Sequence, residues 1–242
     1  TIEMGAMGCE DFEYYAPEYS ILEAPYLFRN AEHFKTFLNT HGDQIFSEVQ
    51  EKSGIITSAW LYRGARMMTA NKEIKEPEDL KGLKFRLPSI PVRVSVFEAL
   101  GASPTIVDFS ELYMALKTGT VDAQENPPET IYSYKYYEAQ KYLILSSHIF
   151  TVARYITSED WFNTRTPEDQ ELINKAWKDA QDKVTEEYPD PDVTYIEMCK
   201  KEGMEIITPN NEAFQEIAAP VVEKYNEENW KPGLLELINS TK

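Results

Sequence analysis

Apolar and polar positions follow two different periods along the chain. Short apolar runs of strand length are separated by stretches in which apolar residues recur every three or four positions. Strands are predicted at residues 1–7, 55–62, 84–87, 104–107, 121–126, 142–147, 149–156 and 205–208. Helices are predicted at 31–38, 43–52, 91–100, 109–118, 130–140, 166–187 and 193–202, and in two amphipathic segments of the tail. This alternation is typical of an α/β protein.

Capping residues and prolines set several of these boundaries. Thr166 precedes Pro167 and acidic residues, which is a strong helix start. Gly54 ends the second helix as a C′ residue would. Pro189 and Pro191 are expected to break or kink the long helix that begins at Thr166. Residues 12–28, dense in aromatic residues and prolines, are predicted to form a loop.

Composition narrows the class of protein. Hydrophobic residues make up 42% and charged residues 27% of the 242 residues, as in ordinary soluble globular proteins. No apolar run approaches the roughly 20 residues of a membrane-spanning helix. The formal net charge of −17 repels nucleic acid and anionic lipid, so we expect neither as a partner.

Motifs for metal binding and catalysis are missing from the sequence. Two cysteines and three histidines occur, without CxxC or CxxH spacing, so no metal site is predicted. A disulfide between Cys9 and Cys199 stays open. There is no nucleophile elbow, phosphate-binding loop, dinucleotide fingerprint or zinc-protease motif. His148 could act as a general base, but a hydrogen-bonded pocket or core residue is the commoner role. We therefore predict no enzyme and no cofactor.

Arg86 is the residue with the clearest chemical implication. It lies between Phe85 and Leu87 in a predicted strand, so its guanidinium is expected to be at least partly buried and to need an acceptor. One alternative is an ion pair with a carboxylate of the chain. The other is a ligand carboxylate, held by directional, bidentate hydrogen bonds.

Seven segments in the same order resemble motifs of one transporter family. The most specific is Glu-Asp-Leu-Lys-Gly-Leu-Lys-Phe-Arg-Leu-Pro at residues 78–88. The others are PYLF at 25–28, GAR at 64–66, ALGASP at 99–104, ELYMALKTG at 111–119, VDAQENP at 121–127 and KYYEAQKY at 135–142. Together they resemble the solute-binding proteins of TRAP (tripartite ATP-independent periplasmic) transporters, C4-dicarboxylate-binding type. The resemblance spans essentially the whole chain.

The resemblance implies roles for seven residues. Arg86 would form the salt bridge to the ligand carboxylate, Asn126 would donate a hydrogen bond to the same group, and Arg66 would supply a second cation. Pocket-lining positions are implied with less specificity at Glu125, Phe109, His148 and Ser89. Phe109 could equally belong to the core.

The implied fold is a two-lobe, type II-like periplasmic solute-binding protein with a ligand cleft between the lobes and a long cross-lobe helix. The lobes would comprise residues 1–64 with 152–191, and residues 65–151 with 192–242. The implied function is capture of a small organic acid in the periplasm by a monomer, followed by delivery to the small and large TRAP membrane subunits. Two rivals are a periplasmic sensor module that presents the acid to a receptor, and an enzyme that uses His148 and Glu125.

The chain departs from the family pattern in two places. Family members usually begin with a further β-α unit before the strand that matches residues 1–7, and no signal peptide precedes Thr1. Without that unit we expect a parallel sheet short of one strand and an uncovered apolar face. Ala123 replaces a usual glycine, which costs about 1 kcal/mol if the position has positive φ; otherwise both residues are tolerated.

Overall fold

A computed structural model of the chain describes residues 2–242, so Thr1 of the first predicted strand lies outside the described residues. The strands are β1 (Met4–Met7), β2 (Ile55–Ala70), β3 (Lys84–Leu87), β4 (Ser103–Ile106), β5 (Ala123–Asn126), β6 (Tyr142–Ser158) and β7 (Glu205–Ile207). The helices are α1 (Phe12–Tyr15), α2 (Ala31–Ser53), α3 (Pro91–Ala99), α4 (Leu112–Lys117), α5 (Pro128–Ser133), α6 (Glu159–Phe162), α7 (Pro167–Glu187), α8 (Pro191–Lys201), α9 (Asn211–Asn229) and α10 (Leu234–Ser240). No helix within residues 2–242 combines the length and apolarity needed to cross a membrane.

The seven strands form one mixed sheet in the order β1-β6-β2-β5-β3-β4, with β7 also paired to β6. The expected parallel pairing holds for β3 with β4 and β5, and for β6 with β7. The pairs β1–β6, β2–β6 and β2–β5 are antiparallel, so the expectation of a parallel sheet is wrong for half of it. The antiparallel pair β2–β6 is the longest in the molecule and runs through its centre.

Both central strands are longer than predicted because local irregularities do not end them. β2 continues past Tyr62 to Ala70, with a register shift at Gly64, and Arg66 therefore lies inside the strand. The two strands predicted on either side of His148 are one strand, β6. Ser147 has a φ of 43°, and the pairing skips residues 145–148, so the chain bulges there and then resumes.

Some of the predicted helix boundaries differ from those in the structure, and one is confirmed. The two helices predicted at 31–38 and 43–52 are the single helix α2, in which Gly42 is buried and tolerated mid-helix. The predicted loop 12–28 contains α1 and a 3₁₀ helix at Pro17–Glu23. The predicted break is confirmed: α7 ends at Glu187, and Pro191 begins α8.

Helices cover the sheet and bury the core. α2 and α7 pack against β2, α5 packs against α8, and α3 packs against α9. The tail returns to α2, because the Ile238 carbonyl lies 2.9 Å from His33 Nε2 and Lys231 pairs with Glu48 at 2.6 Å. The proposed lobe boundaries stay predictions. Cys9 and Cys199 are both buried free thiols, which settles the open question of a disulfide.

Gly64 lies at the irregularity of β2 and next to a partly buried carboxylate. Its φ is 111°, a conformation that residues with a side chain rarely adopt. Asp192, in the first turn of α8, accepts hydrogen bonds from the Ala65 amide at 2.9 Å and from the Tyr62 hydroxyl at 2.7 Å. A Cβ on Gly64 would lie 2.7 Å from Oδ1 of this carboxylate. The glycine therefore permits the contact between β2 and α8.

Gly64→Ala is expected to lower the free energy of unfolding by about 1–3 kcal/mol, because alanine is strained at this φ and displaces Asp192. Urea unfolding followed by circular dichroism measures the change. Gly5→Ala is the control, since its nearest neighbour beyond the adjacent residues would be 4.0 Å away and its φ is not positive. Equal stability of Gly64→Ala and the wild type would contradict the assignment.

Candidate ligand-binding site

Arg86 is buried in the middle of the parallel part of the sheet. Its strand β3 lies between β4 and β5, and Phe85 and Leu87 are fully buried on either side of it. Arg86 is only 3% exposed, and its Nε donates to the Val107 carbonyl at 2.8 Å. Its two terminal nitrogens have no hydrogen-bond partner in residues 2–242, and no carboxylate there lies within 4.0 Å of it. The guanidinium is thus buried without a counter-ion of its own.

Burial destabilises the charged form of Arg86. Loss of solvent lowers the pKa of its guanidinium to about 10, against an opposing effect of Glu125. A group with such a pKa still carries its charge at neutral pH. An anion that reached the free face of the guanidinium would relieve this cost. The first of the two alternatives for Arg86, an ion pair with a carboxylate of the chain, is therefore not found within residues 2–242.

Arg66, in contrast, is already neutralised. Its Nε and Nη2 donate to the two carboxylate oxygens of Glu125, the second at 2.9 Å, and Nη2 also donates to the Glu125 carbonyl at 2.9 Å. The Oδ1 atom of Asn126 accepts a further bond from Nη2 at 3.1 Å. Arg66 can still present its Nη1 edge, which lies 3.7 Å from Glu10 Oε1.

Asn126 is oriented by its neighbours at the end of β5. Its Oδ1 faces Arg66, so its Nδ2 is the donor, and one bond from Nδ2 goes to Gln124 Oε1 at 2.6 Å. An amide nitrogen carries two hydrogens, so one donor is left for another acceptor. Gln124 is fixed in turn by a 3.0 Å bond from its Nε2 to Thr69 Oγ1. The predicted donor role of Asn126 is compatible with this geometry.

Glu125 is the centre of a buried charge network behind these residues. Besides Arg66, it contacts Arg93 Nη1 at 3.3 Å and His148 Nε2 at 3.2 Å. Burial by itself raises the pKa of Glu125, but Arg66, Arg93 and the hydrogen bond from His148 lower it far below 4.5. Burial lowers the pKa of His148 below 6.5, so we assign a neutral imidazole that donates from Nε2 and accepts at Nδ1 from Ser146, 2.8 Å away.

One cavity of ≈340 Å³ brings the polar groups together. Its lining comprises Glu10, Arg63, Arg66, Arg86, Pro88, Arg93, Phe109, Asn126 and Tyr134. Phe109 is 40% exposed and meets Tyr134 edge-to-face with ring centroids 4.7 Å apart, so it lies on the cavity wall rather than in the core.

Four of the seven predicted site residues, Arg66, Arg86, Phe109 and Asn126, therefore share this cavity. Glu125 and His148 are fully buried behind it, and Ser89 is exposed and does not line it. Direct ligand contact by any of the seven stays a prediction.

Five lining residues were not among the predicted site residues: Glu10, Arg63, Pro88, Arg93 and Tyr134. Arg93 carries the same signal as Arg86, because it lies between Val92 and Val94 in an apolar helix start. Its guanidinium pairs with Glu23 and Glu125. Arg63 pairs with Glu129 at 3.1 Å. Neither Glu10 nor Tyr134 carries a comparable signal in a chain with 41 acidic residues and 15 tyrosines.

A comparison with protein families matches residues 1–229 to DctP, the bacterial extracellular solute-binding protein family 7. The sialic acid-binding periplasmic protein SiaP of Vibrio cholerae is 31% identical over 95% of this chain and 70% of its own length. The C4-dicarboxylate-binding periplasmic protein DctP of Rhodobacter capsulatus is 29% identical over 90% of this chain and 65% of its own length. The chain thus spans about two thirds of these relatives.

Solved structures of TRAP periplasmic solute-binding proteins are also similar to this chain, and they confirm the predicted fold class. A TRAP periplasmic solute-binding protein of Polaromonas sp. JS666, bound to D-erythronate, superposes with a TM-score of 0.90 at 29% identity, over 99% of this chain and 80% of that one. A second one from Roseobacter denitrificans, with bound L-galactonate, gives a TM-score of 0.86 at 29% identity, over 100% and 79%.

Proposed function

The chain is a member of the bacterial extracellular solute-binding protein family 7, and on that premise we propose that it binds a small organic acid through Arg86. We further propose that it works in the periplasm as a monomer and delivers the acid, chemically unchanged, to the small and large membrane subunits of a TRAP transporter. The observation that carries the proposal is the buried guanidinium of Arg86, which borders a cavity and has no carboxylate partner within residues 2–242.

The ligand carboxylate would bind on the open edge of the Arg86 guanidinium. The second Nδ2 hydrogen of Asn126 would donate to the same group, and the Nη1 edge of Arg66 would add positive potential. Such charge-assisted, directional bonds are stronger than neutral ones in a site of low dielectric constant. Phe109 and Tyr134 would pack against the carbon skeleton of the acid.

Glu125 and His148 would act indirectly by holding Arg66 and Arg93 in place. A carboxylate held ionised by two guanidiniums is a poor base, and the imidazole beside it is fully buried. This network fits a binding site and gives no support to the enzymatic alternative.

Lobe closure would complete the site. Glu10 and Arg63 belong to the proposed first lobe, and the other lining residues belong to the second. Contacts that form across this boundary only in the closed state would shift the population from open to closed, by no more than the difference in affinity between the two states. β2 and β6 cross the boundary, and Gly64 lies on it.

A screen of organic acids by thermal unfolding tests the proposal. An acid that binds the folded state raises the midpoint of unfolding, by an amount equivalent to about 2.7 kcal/mol at 100 times its Kd. We expect stabilisation by at least one small carboxylate, and recovery of that acid unchanged after prolonged incubation. The uncharged alcohol or amide analogue is the control. Absence of stabilisation across the panel, or conversion of the acid, would overturn the proposal.

A further inference from the structure

Glu10 is the one carboxylate among the lining residues of a cavity that four arginines also line. Oε1 of Glu10 lies 3.7 Å from Arg66 Nη1, which is an ion-pair distance but too long for a hydrogen bond. No side chain in residues 2–242 donates a hydrogen bond to the Glu10 carboxylate, which accepts one from its own backbone amide. Its side chain is 34% exposed. The carboxylate thus borders the cavity with acceptor capacity left over.

The neighbouring backbone makes room for this carboxylate. A Cβ on Gly8 would lie 1.8 Å from Glu10 Oε2, so any side chain at position 8 would displace the carboxylate from its place. Burial raises the pKa of Glu10, but the positive charges of Arg93 and Arg66 outweigh it and lower the pKa below 4.5. Glu10 is therefore ionised at neutral pH.

Three of the four arginines that line the cavity already have a carboxylate partner. Arg63 pairs with Glu129, Arg93 pairs with Glu23, and Arg66 pairs with Glu125. Arg86 is the only lining arginine without a carboxylate within 4.0 Å among the described residues. A first ligand carboxylate has this guanidinium to bind, whereas a second one would meet only arginines that already have a carboxylate partner and would face Glu10.

We propose that Glu10 sets the selectivity of the site, accepting a hydrogen bond from a ligand hydroxyl and rejecting a second ligand carboxylate. The inference rests on the proposed function, because it places the first carboxylate on Arg86. It assigns the ligand to the hydroxy-monocarboxylates, a class that includes the aldonates. A site that hydrogen-bonds a hydroxyl discriminates strongly against analogues that cannot donate.

Aldonates and aldarates provide matched ligands for the test. D-Erythronate and meso-tartrate differ only in the terminal group, CH₂OH in one and carboxylate in the other, and D-galactonate and galactarate form a longer pair. Calorimetry at pH 7.5 gives the ratio of Kd values within each pair. We expect the wild type to bind the aldonate of the better-fitting pair at least about 10-fold more tightly than its aldarate.

Glu10→Gln removes the charge and keeps the shape and the acceptor oxygen. We expect this variant to reduce the preference by about 10-fold or more, mainly through tighter binding of the aldarate. Glu32→Gln, an equal change of charge on the exposed face of α2, is the control and should leave the ratio unchanged. Circular dichroism establishes that both variants are folded.

The outcomes separate this inference from the proposed function. A wild type that binds organic acids but prefers aldarates, or binds no aldonate, overturns the role of Glu10 alone. So does a Glu10→Gln variant with an unchanged ratio. If no acid binds, or if Arg86→Met binds every acid as well as the wild type does, the proposed function fails as well.

Discussion

Replacing Arg86 by Met is expected to weaken binding of the organic acid by about 2–5 kcal/mol, or roughly 30- to 5,000-fold in Kd. The methionine has a similar length but offers neither charge nor hydrogen-bond donors. In the absence of ligand, the same change should leave the free energy of unfolding unchanged or raise it, because it removes a buried charge that has no carboxylate partner among residues 2–242. Calorimetry and urea unfolding measure the two effects.

This pair of results distinguishes a ligand site from a structural ion pair. Loss of an arginine that stabilises the fold through an ion pair would lower the free energy of unfolding. Arg165→Met is the control, since the Arg165 side chain is exposed, donates to the Thr164 hydroxyl and lies over the ring of Trp161. Arg86→Lys should give intermediate affinity, because an ammonium cannot form the bidentate contact. Full affinity in Arg86→Met would refute the assignment.

Replacing Glu125 by Gln is expected to destabilise the free protein by about 3–5 kcal/mol. The glutamine fills the same space, but Arg66 and Arg93 lose a shared, fully buried counter-ion. The control is Glu129→Gln, which breaks the partly exposed pair with Arg63 and should cost about 1 kcal/mol or less. Urea unfolding at pH 7 compares the two. Equal losses in the free energy of unfolding for Glu125→Gln and Glu129→Gln would contradict a central role for Glu125.

The stability difference between wild type and Glu125→Gln should also depend on pH. The pKa of Glu125 is lower in the folded state than its ordinary 4.5, so below pH 4.5 the unfolded state binds more protons. The contribution of this carboxylate is therefore complete above about pH 4.5 and is lost as the pH falls below it. The two proteins should converge in stability when unfolding is measured at progressively lower pH.

Local signals in the sequence were sufficient to predict many of the helices and strands. Lys84–Leu87 forms the predicted strand with the predicted bounds, and Thr166 caps α7 by accepting from the Asp169 amide. Ala123 lies inside β5 without positive φ, so the tolerant alternative holds. Such elements depend on short-range steric effects and on capping, both of which are determined by residues adjacent in the sequence.

The long central strands could not be predicted for a physical reason. The segment around Arg63 and Gly64 looks like a strand end, yet β2 continues because Arg66 finds Glu125 on a strand 59 residues later in the chain. The bulge at residues 145–148 likewise depends on the pairing with β2. Contacts between distant residues override the local pattern in both places.

The candidate site, like the fold, could be predicted only in part from the sequence. A charged residue between apolar neighbours identified Arg86, and the same rule identifies Arg93. The role proposed for Glu10 depends on the space left by Gly8 and on the nearby arginines, which only the three-dimensional structure displays. Family motifs pointed to Asn126 and Arg66, but not to the fact that Arg66 is already paired.

The most direct test is a crystal structure of this chain with the acid that gives the largest thermal stabilisation. We predict that a ligand carboxylate lies within hydrogen-bond distance, about 2.7–2.9 Å, of the terminal nitrogens of Arg86, with Asn126 Nδ2 donating to the same group. An acid bound elsewhere, with the Arg86 guanidinium still unoccupied, would contradict the account.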